Sequence, residues 1–424
     1  MRLALIGIIT FAICSPATAR PPGVEMRRGR LWVDNAWVFL KIAKPLRNFA
    51  DAKAVDQLIA DLPVLEKKHF NCIEINCYWH MFDHGGDGVL DESLAPLIRL
   101  IDAIADRGMF PCLSVETYGV GGGQLPAGFW KKHPDAIAID SNGKEVKDDE
   151  YGVMSAVPSL FSPAYLEASR NYIRNLTRGI PHERILYFET TVEPQYMGNH
   201  ALDFGPNAMK AWSTWLRGQG SCRAASSDPT TGPAGASPSK DDPNWNRFRA
   251  EYLAEWINGD AQAYRDVAGK DAWIAVDYLE TCGPDMRNRN GDSDIFLAHL
   301  SSPNIIQVNW HWNANKHAPN QCAYDHVKKA MREQHRDWAI TEHMTINGTD
   351  YSVEDMPNLL RNTIAQSTHF GWEFVDVGAS AGGFSLYNPD WSPKPTMKIV
   401  DDKWDQWMAE IKAKEKESAT NHTN

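Results

Sequence analysis

Ile185-Leu-Tyr-Phe-Glu-Thr-Thr-Val-Glu193-Pro-Gln-Tyr196 is an apolar run rich in aromatic and β-branched residues that ends in a carboxylate and a proline. A strand buried on both faces of a parallel sheet reads this way when it delivers a side chain to the rim. Trp338-Ala-Ile-Thr-Glu342-His-Met344 repeats the pattern. Working outward, further strands are expected at 36–42, 72–79, 110–118, 273–281, 305–312 and 371–377. Helical stretches fall between them. Val55, Leu58, Ile59, Leu62 and Leu65 mark one over 51–69, with Pro63 inside it, and Gly108 stops another over 92–107. Ser162-Pro163 opens a third. Others are expected at 206–217, 245–268, 324–335, 352–370 and from about Thr396.

Eight strands alternating with helices predict an α/β fold, a single closed (β/α)8 TIM barrel. A short N-terminal β-hairpin turning at Asp34-Asn35 should precede it. An open doubly wound sheet would carry a glycine-rich phosphate turn after the first strand, and Lys41-Ile-Ala-Lys-Pro45 offers none. Gly121-Gly-Gly123 lacks the GxGxxG spacing. Two segments exceed what a connection needs: a long loop over 119–162, and a Gly, Pro, Ser, Thr and Ala-rich stretch near 219–242, read as a mobile insertion.

The chain has 424 residues. Arg2, the apolar run Leu3 to Ile13 and Ala17-Thr18-Ala19 form a secretory signal peptide over 1–19, too short to span a bilayer. The remainder divides into a barrel domain over 20–414 and a polar tail over 415–424. The mature chain is expected to be secreted or periplasmic, without a membrane anchor. A net charge of −11 and the lack of basic clusters exclude a nucleic-acid partner. Of the cysteines that follow the signal, Cys72 and Cys112 read as small buried hydrophobes, and Cys282 with Cys322 is the candidate bridge. No CxxC pair offers a zinc site. The loop Asp83 to Asp91 carries oxygen donors and glycines but lacks the glutamate of a calcium loop, so it reads as an Asx-rich turn. No metal or cofactor is expected.

Catalytic groups of such a barrel come from the C-terminal ends of its strands. Those ends offer Asn76, Tyr78, Trp79 and His80; Glu116 and Tyr118; Glu189 and Glu193; Asp277, Tyr278 and Glu280; Asn309, His311 and Trp312; Glu342 and His343; Trp372 and Glu373. Such a rim, acidic and aromatic, suits polyol recognition, and sixteen tryptophans supply faces for sugar rings. Trp79, Trp310, Trp312 and Trp372 are the stacking candidates. Two glutamates ending separate buried strands are the raw material for glycosidic bond hydrolysis. Glu189 and Glu116 compete with Glu193 for one of the roles, although Glu189 reads better as the ion-pair partner of Lys41. A metal-dependent barrel hydrolase would want a His-x-His pair on the first strand, which has no histidine.

Val192-Glu193-Pro194, Ile340-Thr-Glu342-His and the stretch from Phe129-Trp-Lys-Lys-His-Pro-Asp135 to Asp140-Ser-Asn-Gly143 resemble the clan A glycoside hydrolases, including the β-galactosidase-like family 42 and the cellulase-like families. The resemblance implies a retaining β-glycosidase acting on a carbohydrate, with Glu193 as acid/base and Glu342 as nucleophile. The clan's asparagine before the acid/base, which contacts the sugar 2-hydroxyl, is here Val192. That departure leaves Asn309 or Asn76 to make the contact, and keeps a non-catalytic glycan-binding barrel as the alternative.

Overall fold

The computed structural model describes residues 21, 23–118, 125–148, 155–197, 200–219, 238–280, 286–309, 321–344, 369–375, 387–388 and 390–421. Three antiparallel strands come first, β1 (Val24–Arg27), β2 (Arg30–Val33) and β3 (Ala36–Val38). Arg28-Gly29 and Asp34-Asn35 turn the chain with positive φ at every position, the two-residue geometry whose twist matches paired strands. The second turn is the expected hairpin. The strand before it lies in what the sequence presents as a polar lead.

Eight parallel strands then close into a barrel. The first three are β4 (Leu40–Lys44), β5 (Cys72–Tyr78) and β6 (Phe110–Glu116). A small hairpin, β7 (Lys147–Asp148) and β8 (Ser155–Ala156), stands in the long loop. The ring resumes with β9 (Phe188–Glu189), β10 (Ile274–Tyr278), β11 (Ile305–Asn309), β12 (Ala339–Met344) and β13 (His369–Val375). Each strand pairs in parallel with its neighbours, and β9 joins β6 to β10 to complete the ring. Among the described residues the helices are α1 (Ala52–Lys67), α2 (Trp79–Phe82), α3 (Ala95–Ala105), α4 (Ala127–Lys132), α5 (Pro163–Gly179), α6 (Pro206–Gln219), α7 (Pro243–Ala268), α8 (Met286–Asn290), α9 (Ser293–His299), α10 (Gln321–Gln334) and a C-terminal helix, Pro395–Asn421. Ser162 caps α5 through the Tyr165 amide, as its sequence announces. The expected helix over 352–370 lies almost wholly outside the described residues, as do 220–237 of the insertion. The C-terminal helix continues through residues read as a polar tail.

Two-residue alternation divides each strand between the helix layer and the barrel interior. Ala43, Ile73, Ile75, Leu113, Val115, Phe188, Ile274, Val276, Ile306 and Val308 join the continuous core beneath the helices. Leu40, Ile42, Cys72, Cys112, Tyr187, Ala275, Ile305 and Ala339 form a smaller core inside the barrel. Val24 and Leu31 of the N-terminal sheet pack against this inner core and plug the barrel's floor. Cys72 and Cys112 are buried thiols outside any disulfide, their Sγ atoms 3.3 Å apart. Cys322 is disulfide-bonded. Cys282, its expected partner, lies outside the described residues. No helix among the described residues is long and apolar enough to cross a membrane.

Candidate active site

Above the inner apolar layer the barrel turns polar. Lys44, Glu74, Asn76, Ser114, Glu116, Glu189, Asp277 and Gln307 are all buried there. Each follows by even steps from an apolar interior residue of its own strand, so strand parity alone carries it inward. Lys44 Nζ lies 2.7 Å from Glu74 Oε1 and 3.2 Å from Glu189 Oε1. The Tyr187 hydroxyl donates to Glu74 Oε2 at 2.6 Å, and Ser114 Oγ donates to Glu189 Oε1 at 3.0 Å. Charges this deep persist only when paired and hydrogen-bonded, and here one lysine serves two carboxylates. The sequence reading gave Glu189 an ion pair with Lys41. The pair exists, but its base is Lys44. Lys41 has the opposite parity and points into the helix layer, where its ammonium bonds the Lys68 carbonyl and Asp401.

From this floor the chain climbs to Glu193. β9 keeps ladder pairing only at Phe188 and Glu189, so Glu193 sits beyond the strand and not on it, as 185–193 had suggested. The chain turns through a positive φ of 46° at Glu193, a conformation uncommon for residues other than glycine and informative when found at a mouth. Two buried carboxylates hold the turn. Glu116 of β6 accepts from Thr191 Oγ1 at 2.8 Å and from the Val192 amide at 3.0 Å. Asp277 of β10 accepts from the Glu193 amide at 3.3 Å. Burial raises the Glu116 carboxyl above the ordinary glutamate range, against the opposing pull of Lys44 and of its donors.

The remaining expected site residues divide into three groups. Asn76 faces the interior beside this network, level with Ser114. Its Oδ1 is buried and accepts no hydrogen bond from a described residue. Tyr78 ends β5, and its ring centroid stands 5.8 Å from that of His80.

A second group belongs to the supporting core, contrary to expectation. Trp79 is fully buried among Phe129, Tyr165 and Tyr172, with its indole N–H given to Asp83, so it presents no face for a sugar. The Tyr118 hydroxyl accepts the Met197 amide, and its ring packs on Trp256. Tyr278 turns to the helix layer and stacks on Phe296, its hydroxyl reaching Glu280 at 3.4 Å. The odd step from Asp277 decides that.

In the third group, Asn309, Glu342, His343, Trp372 and Glu373 are placed by backbone alone, and their side chains lie outside the described residues. His311, Trp310 and Trp312 lie outside entirely. Glu342 stands near the C-terminal end of β12, level with Val308 and Trp372. Around the ring β12 is three strands from β9 by way of β10 and β11, so the two glutamate-bearing strands fall one step short of diametric opposition.

Lys44, Glu74, Ser114 and Thr191 went unnamed in the sequence. The signal for them is the even spacing Leu40, Ile42, Lys44 and Cys72, Glu74, Asn76. Beside the mouth, the loop Asp83 to Asp91 is tied by its own backbone. Asp83 accepts the Gly86 and Gly88 amides at 2.6 and 2.7 Å, and Asp91 accepts those of His84 and Gly85. It is the Asx-rich turn expected. A Cβ at Gly86 would stand 2.4 Å from the Phe129 backbone, so this loop docks on α4 only with glycine there.

No protein-family model and no curated protein sequence matches the chain. Solved structures do. A catalytic mutant of a GH42 β-galactosidase from G. stearothermophilus superposes with a TM-score of 0.62 at 14% identity, covering 88% of this chain and 57% of its own. The β-galactosidase of the psychrophilic Marinomonas ef1 gives 0.62 at 12% identity, covering 88% and 60%. An exo-β-1,4-mannosidase from Opitutaceae bacterium strain TAV5 gives 0.55 at 14% identity, covering 91% and 62%. The chain therefore shares their barrel fold and spans less than two thirds of their length.

Proposed function

We propose that this chain is a retaining β-glycosidase, with Glu193 as acid/base and Glu342 as nucleophile. The observation that carries the reading is Glu193 itself. It lies four residues past the fourth strand of a barrel shared with β-galactosidases and a mannosidase, buried on a left-handed turn whose amides are held by Glu116 and Asp277 at the C-terminal end of the barrel. Glu342 ends the seventh barrel strand at the same mouth. In the first step the Glu342 carboxylate attacks the anomeric carbon while Glu193 gives its proton to the departing oxygen. In the second, Glu193 takes a proton from water, which displaces Glu342 from the anomeric carbon.

A panel of aryl β-glycosides tests the assignment. Glu193→Ala is expected to lose about 10²–10⁴-fold on substrates with poor leaving groups, and Glu342→Ala to lose nearly all turnover. Added azide should rescue both and yield glycosyl azides of opposite anomeric configuration. A wild type that binds oligosaccharides but cleaves no β-glycoside would sink the reading in favour of a non-catalytic glycan-binding barrel. We further propose that residues 1–19 are removed on export. Amino-terminal sequencing of the exported protein should begin at Arg20.

A further inference from the structure

We infer that Glu116 is a positioning residue. Together with Asp277 it clamps the turn that presents Glu193, and it neither protonates nor binds the substrate. The inference rests on the β-glycosidase reading, which assigns Glu193 its task. Three adjacent barrel strands take part. β6 supplies Glu116, β9 runs into the turn, and β10 supplies Asp277. Glu116 is 1% exposed and spends its oxygens on the chain beside it: Oε2 on Thr191 Oγ1, Oε1 on the Val192 amide and, at 3.3 Å, on Ser114 Oγ. Asp277, fully buried, takes the next amide along, that of Glu193.

The two carboxylates thus hold two successive peptide N–H groups from opposite sides. That fixes a backbone whose φ of 46° a glutamate would not choose unaided. Ser114 also donates to Glu189, so the clamp is rooted in the Lys44 network below.

A proton donor displaced by even about 1 Å loses much of its effect. The loss falls on substrates whose leaving group needs the proton. Glu116→Ala is therefore expected to lower kcat/KM about 100-fold for a phenyl β-glycoside and less than about 5-fold for a dinitrophenyl one. Glu116→Gln keeps a carbonyl for the Val192 amide and offers its NH₂ to the Thr191 hydroxyl, so it should stay within about 5-fold of wild type on both. Thr191→Val, which changes little in shape, should show a weaker loss with the same leaving-group dependence.

Equal losses on both substrates, or Glu116→Gln as inactive as Glu116→Ala, would overturn the inference; the second result would make Glu116 itself the acid. A crystal structure of Glu116→Ala asks the same question without turnover. The turn over 191–193 must move and Glu193 must leave its positive φ, and an unmoved turn overturns the inference. A wild type inactive on every β-glycoside overturns the functional reading and leaves that structural test standing.

Discussion

Lys41 and Lys44 stand three residues apart on one strand, both buried, and inhabit different electrostatic worlds. Lys44 points into the barrel and shares its charge between Glu74 and Glu189, with side chains 2% and 0% exposed. Lys41 points into the helix layer. Its ammonium lies 4.6 Å from the Phe70 ring centroid and 4.8 Å from that of Trp404. Its carboxylate, Asp401 of the C-terminal helix, is shared with Lys68 and Tyr387. One is the hub of a charged network within the barrel. The other is a long apolar stem whose tip helps seat a helix. An odd number of steps along a strand changes the face, and that alone separates the two roles.

The largest expected effect breaks the inner member of the pair. Lys44→Met removes the cation that Glu74 and Glu189 share, and stripping one partner from a buried ion pair costs about 3–5 kcal/mol. Urea unfolding at neutral pH should register that loss. Because Ser114 links Glu189 to Glu116, activity should fall as well even where the variant remains folded. A variant as stable as wild type would mean that the polar layer is solvated by water rather than held by the lysine.

The same parity explains what was legible in the sequence. Barrel strands announce themselves through apolar runs, and each of the eight overlaps its expected stretch, because burial on both faces writes a continuous hydrophobic signal. The first, however, begins only at Leu40, and the fourth pairs only at Phe188 and Glu189. The helix starts at Ser162-Pro163 and Pro206 were equally open, since capping chemistry is local. Direction was harder. Tyr278, Tyr118 and Trp79 sit near strand ends and carry the chemistry of a sugar site, yet each is turned into the core. Strands six and eight, likewise, were read two or three residues past Asn309 and Val375, where the described strands end.

Glu193 was visible as a carboxylate before proline. The left-handed turn that presents it was not, because the cause lies in two acids from neighbouring strands, and no local pattern records a tertiary hydrogen bond. The choice of Lys41 over Lys44 failed for a simpler reason: counting from Leu40 and Ile42 would have settled it.

A smaller effect sharpens the comparison from the outer side. Burial pulls the Lys41 ammonium down to about 8, against the opposing attraction of Asp401. The folded protein therefore releases this proton near pH 8, while the unfolded chain holds it into the ordinary lysine range. Between those limits the unfolded state binds more protons, and the contribution of Lys41 to stability rises with pH. Methionine at the same position keeps most of the stem's packing and has nothing to titrate. Lys41→Met should thus lie within about 1 kcal/mol of wild type at pH 7, because Asp401 retains Lys68 and Tyr387 and a desolvated charge has been removed. By pH 9.5 wild type should have gained roughly 2 kcal/mol on the variant. Parallel urea titrations at the two pH values measure that difference directly. A difference that does not change with pH would mean that Lys41 keeps its charge throughout, and that its two aromatic neighbours and Asp401 compensate its burial more fully than the packing around it suggests.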